Sequence, residues 1–505
     1  MAILNSLVSW FMLKRLHQIE LFIKYPADVQ KEWFSTLITK ARDTEWGKKY
    51  DYRSVQNYET YRERVPLSSY EDFKPYIDRM LQGEQNILWP TQIKWFSKSS
   101  GTTSSRSKII PVSQEALEDC HYNGGKDMLS IFLNLYPNTN IFTGKQLAMG
   151  GSHQITEINN ELIMVGDVSA ILIHHLPVWA ELMRVPDQET ALMDEWESKI
   201  EKMARTTIHN NVVSLSGVPS WMLLLLHRIL EITGKSTIRE VWPDLSVFFH
   251  GGVNFGPYEQ QFRSIIPGEM TYMETYNASE GFFGIQDQKE SKALLMMLDY
   301  GIFYEFIPLE EMEKSCPRAY PIWEVETDKV YAMVITTNAG LWRYLIGDTI
   351  KFTSLSPYRI KIAGRTKHFI NSVGEELMVE NADTAMLRAS KKTGAEILEY
   401  TAAPIFFENK KNGAHEWIIE FSKEPLHFDE FTSVLDSELK AVNSDYEAKR
   451  YQDMVLRMPL VHRAPKGTFY NYLKQRNKLG GQNKIPRLSN DRAIVDELLK
   501  MIRQG

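Results

Sequence analysis

Cysteine is nearly absent from this 505-residue chain: Cys120 and Cys316 are far apart and in no C-x-x-C or zinc-ligand spacing. That excludes a disulfide framework and a structural zinc site, and points to a reducing, cytoplasmic setting. Long apolar runs are missing too. No window reaches the roughly 18 uninterrupted apolar residues of a membrane span, so no stable membrane insertion is expected. The opening MAILNSLVSWFMLKRLHQIELFIKYP is apolar but broken by Lys14, Arg15, His17 and Glu20, with no small-residue cleavage site after it. With Ile3, Leu7, Trp10, Phe11 and Lys14 at helical spacing, it reads as an amphipathic helix on the core rather than a signal peptide. Excess positive charge is lacking: the formal net charge of −6 argues against a dedicated nucleic-acid binder. Two catalytic signatures are absent. Without GxxxxGK[ST] there is no Walker-type phosphate loop, and without G-x-S-x-G there is no serine-hydrolase elbow. His174, His175 and His250 lie on apolar, strand-like runs and read as core or pocket-wall residues.

What is present is the composition of a folded globular protein, 43% hydrophobic and 24% charged. Its length is too great for one core and requires domains. Residues 1–90 read as helices joined by short loops, punctuated by Pro26, Pro66 and Pro90. Over 109–340 apolar runs alternate with helical patterns. LSVFFHGG (245–252) reads as a buried strand closed by a glycine turn, and 181–204 and 221–231 read as helices. This alternation predicts α/β structure with a mainly parallel sheet. From Leu294 the strands crowd together, in LLMMLDYGIFYEFIPL, VYAMVITT and DTIKFTSL, as an antiparallel β subdomain would require. After the junction IAGRTKHFINSVGEEL come a helix at 380–392, strands at 396–407 and 416–421, and helices at 429–442 and 445–454. The expected organisation is a large N-terminal α/β domain over 1–365, with mainly parallel sheets plus a β subdomain, and a small α+β C-terminal domain over 366–505.

Three constellations carry chemistry. The first is WFSKSSGTTSSRSKIIPVS (95–113), a hydroxyl-rich turn of Ser99, Ser100, Gly101, Thr102 and Thr103, followed by Arg106 and Lys108. It gathers hydroxyls, backbone N–H groups and cations in a small volume, which suits a polyphosphate. No acidic residue lies between Gln85 and Gln114 to repel one. Taken alone, such clusters are as often plain surface loops. The second is TYNASEGFFGIQ (275–286), where Glu280 is the sole acid between Glu274 and Asp287. Either it is a solvated hairpin residue or it is the single carboxylate that a phosphate-bound magnesium needs. Upstream, HGGVNFGP (250–257) offers glycine backbone against which a flat base can lie. The third is LWRYLIGDTIKF (341–352), in which Asp348 either makes an Asx turn between strands or accepts both vicinal hydroxyls of a ribose. A compositional signal follows: 454–490 holds eight Lys or Arg and no acid, interleaved with Tyr470, Tyr472 and Pro486, and reads as a folded surface facing phosphate.

In order and spacing these motifs resemble the adenylate-forming superfamily, most closely the GH3 acyl acid–amido synthetases. TEWGKKY (44–50), SSGTT, YNASEGFFG, TNAGLWRYLIGD and GGQNKIPRL are all similar to GH3 signatures. The resemblance implies a ligase that uses ATP and Mg2+ to turn a small carboxylic acid into an acyl-adenylate, then passes the acyl group to an amino acid or other amine. It implies that Ser99, Ser100, Gly101, Thr102 and Thr103 hold the phosphates, with Arg106 or Lys108 as the cation. Gly251, Gly252 and Val253 would line the adenine, with Tyr276 and Ala278 beside it. Ser279 would touch phosphate, Glu280 would hold magnesium and Asp348 the ribose. GRTKHF (364–369) would be a hinge, with Arg365 and the pivot Lys367, and Lys484 would reach back from a mobile small domain. A monomer is expected, with no nucleic-acid partner. An acyl-CoA ligase and a non-catalytic ATP-binding protein of the same fold are the alternatives. The phosphate turn departs from the family pattern, with Ser-Ser-Arg-Ser ahead of Lys108. Met164, Val165, Ile173, Leu176 and Phe249 are candidates for the acyl pocket or for core.

Overall fold

The computed structural model describes residues 14–504 except 100–107, 159–160, 253–254, 313, 315, 366–368, 371, 373–376, 406–412, 444–445, 448–449, 451–455, 477 and 480–483. In chain order the strands of the large domain are β1 (Trp95–Ser99), β2 (Lys108–Val112), β3 (Lys145–Ala148), β4 (His153–Ile158), β5 (Glu161–Gly166), β6 (Arg184–Val185), β7 (Val212–Gly217), β8 (Val247–Gly251), β9 (Thr271–Ala278), β10 (Gly281–Gln286), β11 (Leu294–Met296), β12 (Ile302–Pro308), β13 (Tyr320–Pro321), β14 (Val330–Thr337), β15 (Tyr344–Leu355) and β16 (Tyr358–Arg365). After them come β17 (Phe369–Ile370), β18 (Leu377–Met378), β19 (Glu396–Ile405), β20 (Ala414–Lys423) and β21 (Leu460–Ala464).

Among the described residues the large domain carries two sheets. One has twelve strands in the order β13-β12-β14-β15-β16-β11-β10-β9-β8-β7-β3-β6, the other four in the order β2-β1-β5-β4. Strands β6, β3, β7, β8 and β9 run parallel, and from β9 to β13 each pairing is antiparallel. The antiparallel strands expected as a separate β subdomain are therefore the continuation of the parallel ones. β9 belongs to both halves because Tyr276 and Ala278 pair with the hairpin strand β10 while Thr271–Thr275 pair with β8. The four-stranded sheet also departs from the mainly parallel expectation: only β1 and β5 are parallel within it.

The helix expected over 181–204 is broken. Its residues fall in helices Val178–Met183, Gln188–Ala191 and Trp196–Thr207, with β6 between the first two. Pro186 has no N–H to continue a helix, β6 is captured by β3, and Asp187 and Glu195 cap the helices that restart. The helix expected at 445–454 falls mostly outside the described residues, where Tyr446 and Glu447 are helical and Arg450 is in a turn. Ile3, Leu7, Trp10 and Phe11 lie outside them too; residues 14–24 are helical.

Burial organises the large domain around two clusters. One lies where the N-terminal helices pack on the antiparallel strands, with Phe34, Trp46, Tyr61, Phe303 and Trp342 inside. Gln30 is buried there without penalty, because its amide donates to Leu298 O and Ile302 O at 2.9 and 2.8 Å and accepts from Tyr304 N at 2.9 Å. Beside it, Arg343 and Glu305 form a buried ion pair at 2.8 Å, and Tyr58 donates to the same carboxylate at 2.8 Å. Replacing Tyr58 by phenylalanine should cost about 2 kcal/mol, the usual worth of a buried hydrogen bond to a charge. A lowered urea midpoint for the large domain, monitored by tryptophan fluorescence, checks this. The other cluster lies between helices Trp196–Thr207, Pro219–Thr233 and Gly256–Ile265 and strands β3, β7 and β8.

The small domain packs helices Val379–Thr393 and Phe428–Val442 on the three-stranded sheet β19-β20-β21, with helices Thr468–Gln475 and Ala493–Gln504 completing it. Named polar contacts dock it. Gln261 donates to Ile397 O at 3.0 Å, Arg487 donates to Tyr258 Oη at 2.6 Å, and Tyr470 and Lys474 both donate to Glu197 at 2.5 and 2.8 Å. Burial works against the Arg487 charge, but Glu399, Tyr258, Tyr400 and Asp383 around it together outweigh that and hold the guanidinium protonated.

Candidate nucleotide site

The site is built from strand ends. β8 finishes at Gly251, which sits opposite Thr275 in the parallel register with β9. A Cβ on Gly251 would lie 2.4 Å from Thr275 O, so only glycine lets the two strands meet there. Gly252 follows at φ +78°, the left-handed region that favours glycine. Its carbonyl accepts a hydrogen bond from Lys484 Nζ at 2.6 Å. A lysine 232 positions away thus arrives at the glycine turn expected to line the base.

Next along β9, Tyr276 donates its hydroxyl to Asp348 Oδ2 at 2.6 Å, and each residue is only 5% exposed. Asp348 lies inside β15, opposite Arg365 at the end of β16, so it is a strand residue and not an Asx turn. Ser279 and Glu280 form the turn between β9 and β10, yet they are 4% and 8% exposed, which rules out a solvated hairpin tip. Ser279 Oγ donates to Lys98 O at 3.2 Å. That contact carries the turn to the end of β1, where Ser99 pairs with Lys108 across the base of the hydroxyl-rich loop. Lys108 Nζ donates to Tyr344 Oη at 3.3 Å and lies over the rings of Tyr70 and Tyr344. Tyr344 opens β15, the strand that carries Asp348.

Four chain segments, 98–108, 251–280, 344–348 and Lys484, therefore meet in one contact chain: Lys484, Gly252, Gly251, Thr275–Tyr276, Asp348, along β15 to Tyr344, Lys108, and back through β1 to Ser279 and Glu280. Ala278 pairs with Gly281 at the root of the Ser279–Glu280 turn. Ser100, Gly101, Thr102, Thr103, Arg106, Val253 and Lys367 lie outside the described residues, and Ser99 and Arg365 are placed by their backbones. Among the described residues no cluster of three or more His, Cys, Asp or Glu could hold a metal ion. Magnesium bound chiefly by phosphates and water needs one or two protein carboxylates, and the buried Glu280 fits that demand.

The basic run over 454–490 does not form one phosphate-facing surface. Arg463 pairs with Glu424, Lys474 with Glu197, Arg476 with Glu497 and Arg487 with Glu399, whereas Lys484 goes to the glycine turn. Of the acyl-pocket candidates, Met164, Ile173 and Phe249 are buried, and Phe249 meets Phe132 edge-on at 5.4 Å. Sequence reasoning missed Tyr344, the Lys98 carbonyl, and the docking residues Glu197 and Tyr258. Nothing local marks them, since each acquires its partner from a distant segment.

The chain shares the fold of a solved acyl acid amido synthetase, AtGH3.15 in complex with 2,4-DB: TM-score 0.80 at 17% identity, covering 98% of this chain and 96% of that one. A 2-hydroxyisobutyryl-CoA ligase in its postadenylation state matches at TM-score 0.61 and 11% identity, over 94% of this chain and 92% of that one. The class of molecule is thus a two-domain α/β protein with a large N-terminal and a smaller C-terminal domain. The chain belongs to the GH3 family: the GH3 family N-terminal domain matches residues 15–271, the central domain 295–365 and the C-terminal domain 380–493. Curated relatives include indole-3-acetic acid-amido synthetase GH3.3 of Arabidopsis thaliana, 22% identical over 96% of this chain and 93% of its own. Jasmonoyl--L-amino acid synthetase GH3.5 of Oryza sativa subsp. japonica is 23% identical over 94% of each.

Proposed function

We propose that this protein is an ATP-dependent ligase that activates a carboxylic acid as an acyl-adenylate and transfers the acyl group to an amine, an amino acid, giving an amide. The reading rests above all on the meeting of Lys484, the Gly251–Gly252 turn, Tyr276–Asp348 and Ser279–Glu280 in one place. Family membership and the amido synthetases among the relatives support the same chemistry.

In this reading a carboxylate oxygen attacks the α-phosphorus of ATP, and the bond to the bridging oxygen breaks to release pyrophosphate. The amine nitrogen then attacks the acyl carbonyl, AMP leaves with the electron pair of the broken C–O bond, and the nitrogen loses a proton to solvent. Asp348, already an acceptor of the Tyr276 hydroxyl, takes the ribose hydroxyls. Gly251 and Gly252 give the base a surface free of side chains. Ser279 and the loop after β1 donate to phosphate oxygens. Lys484 leaves the Gly252 carbonyl for the negative charge that builds between carboxylate and α-phosphate, where a preorganised cation acts most strongly. Glu280 would hold Mg2+, which neutralises charge on the phosphates.

The small domain, with its boundary at 365/366 and Lys367 as pivot, moves between the two steps and admits the second nucleophile. An amine is favoured over a thiol acceptor because four of the eight cations in the basic run, Arg463, Lys474, Arg476 and Arg487, are engaged in ion pairs, which leaves fewer for coenzyme A phosphates. We also place the protein in the cytoplasm as a monomer, in keeping with the free thiols of Cys120 and Cys316. Incubation with panels of carboxylic acids should give acid-dependent ATP/pyrophosphate exchange, and added amino acid, not coenzyme A, should then yield product by mass spectrometry. Absence of exchange with every acid would refute the reading.

A further inference from the structure

Lys484 does not reach the large domain alone. Lys484 Nζ donates to Gly252 O at 2.6 Å, and three positions on, Arg487 Nη2 donates to Tyr258 Oη at 2.6 Å. Gly252 lies just before helix Gly256–Ile265 and Tyr258 in its first turn. One short piece of the small domain therefore grips one short piece of the large domain at two points. A turn further along the same helix, Gln261 donates to Ile397 O on β19, the strand that also carries Glu399 and Tyr400.

The small domain holds the segment between the two grips. Ile485 and Pro486 are buried, the first in the cluster with Phe469 and Leu498. Pro486 fixes its own φ, and its carbonyl accepts from Thr401 Oγ1 at 2.7 Å. Ala402 N then donates to Arg487 O at 2.8 Å, and Ser489 N to Ala402 O at 3.1 Å, which ties the segment along β19. Three residues span at most about 10 Å, so placing Arg487 also places the backbone that carries Lys484.

The guanidinium divides its donors between the domains. Nη1 faces inward, to the Glu399 carboxylate and to Tyr400 O at 3.3 Å, with the group lying 4.5 Å from the centre of the Tyr400 ring. Nη2 faces outward to Tyr258. A planar fork serves both sides at once, which a single ammonium on a flexible stem does not. Tyr258 is 2% exposed within the large domain's own apolar cluster, so its hydroxyl is a fixed point for the docking domain.

We infer that Arg487 is a positioning residue for Lys484: by engaging Tyr258 it sets the docked register from which the lysine reaches the reacting phosphate. The inference rests on the adenylation chemistry proposed above. Both contacts sit on one segment, so they form together when the small domain docks and break together when it leaves.

Two variants test this from opposite sides of the interface. Arg487→Lys keeps a cation beside Glu399 but gives up the fork, and Tyr258→Phe deletes only a hydroxyl and leaves the small domain's interior untouched. Each should lower the saturated rate of acid-dependent pyrophosphate exchange about tenfold, the loss of one hydrogen bond to a charged group. KM for ATP and acid should stay within about twofold of wild type, and preformed acyl-adenylate should react with amine at its usual rate. The double variant should be no slower than either single one. Acetic anhydride labelling of the full chain, without ATP or acid and read by mass spectrometry, reports on Lys484 directly. Lys484 should be acetylated severalfold faster in both variants, while the exposed Lys235 keeps its rate. Wild-type exchange in Tyr258→Phe, equal slowing of both half-reactions, or unchanged Lys484 labelling in both variants would overturn the inference. Absence of exchange in the wild-type protein would sink the adenylation reading instead, and the labelling would still decide whether Arg487 and Tyr258 place Lys484.

Discussion

Pyrophosphate exchange falls about a hundred- to thousandfold when Lys484 becomes alanine, the expected loss for one preorganised contact to transition-state charge. Its location makes the effect specific to one step. Lys484 touches the large domain through the Gly252 carbonyl, on the turn where β8 ends beside Thr275 and Tyr276. The Gly252 carbonyl is a neutral acceptor, which a developing anion outcompetes for the ammonium group. It is also carried by the small domain, so it serves only while that domain is docked. Preformed acyl-adenylate should therefore react with amine at nearly the wild-type rate in Lys484→Ala. Equal slowing of both half-reactions would remove Lys484 from the adenylation step.

Glu280→Ala should abolish exchange to a similar degree, about a thousandfold, with the circular dichroism spectrum unchanged. Glu280 is 8% exposed at a tight turn, next to Ser279, whose hydroxyl is tied to Lys98 O. The turn is fixed by β9, β10 and β1, so loss of the carboxylate should leave the backbone in place and remove the group proposed to hold a phosphate-bound cation. Excess magnesium should rescue only part of the rate. Wild-type exchange at ordinary magnesium in this variant would place the metal elsewhere.

Local patterns in the sequence expressed much of this. The buried run 245–252 and the polar turn around Glu280 are features of contiguous residues, and each becomes the strand or turn that its own pattern demands. Failures came where a distant partner decides. Residues 181–204 have helical character, but β3 captures Arg184 and Val185 as a strand, which no window around them reveals. The basic stretch after Met454 looked like one surface because its acidic partners, Glu197, Glu399, Glu424 and Glu497, lie elsewhere in the chain. Asp348 could be suspected from its type, yet its environment was set by Tyr276, 72 positions earlier.

The unbroken twelve-stranded sheet bears on how such a molecule can be recombined. The family's N-terminal and central modules, 15–271 and 295–365, are halves of one hydrogen-bonded ladder, joined through β9, β10 and β11. A chimera spliced between them would strip β10 or β11 of its neighbour and leave a row of bare amide and carbonyl groups prone to self-association. Grafts taken after Arg365, where β16 closes its pairing with β15, leave that ladder whole. Exchange of lids between relatives, rather than of halves of the large domain, is the crossover this architecture permits.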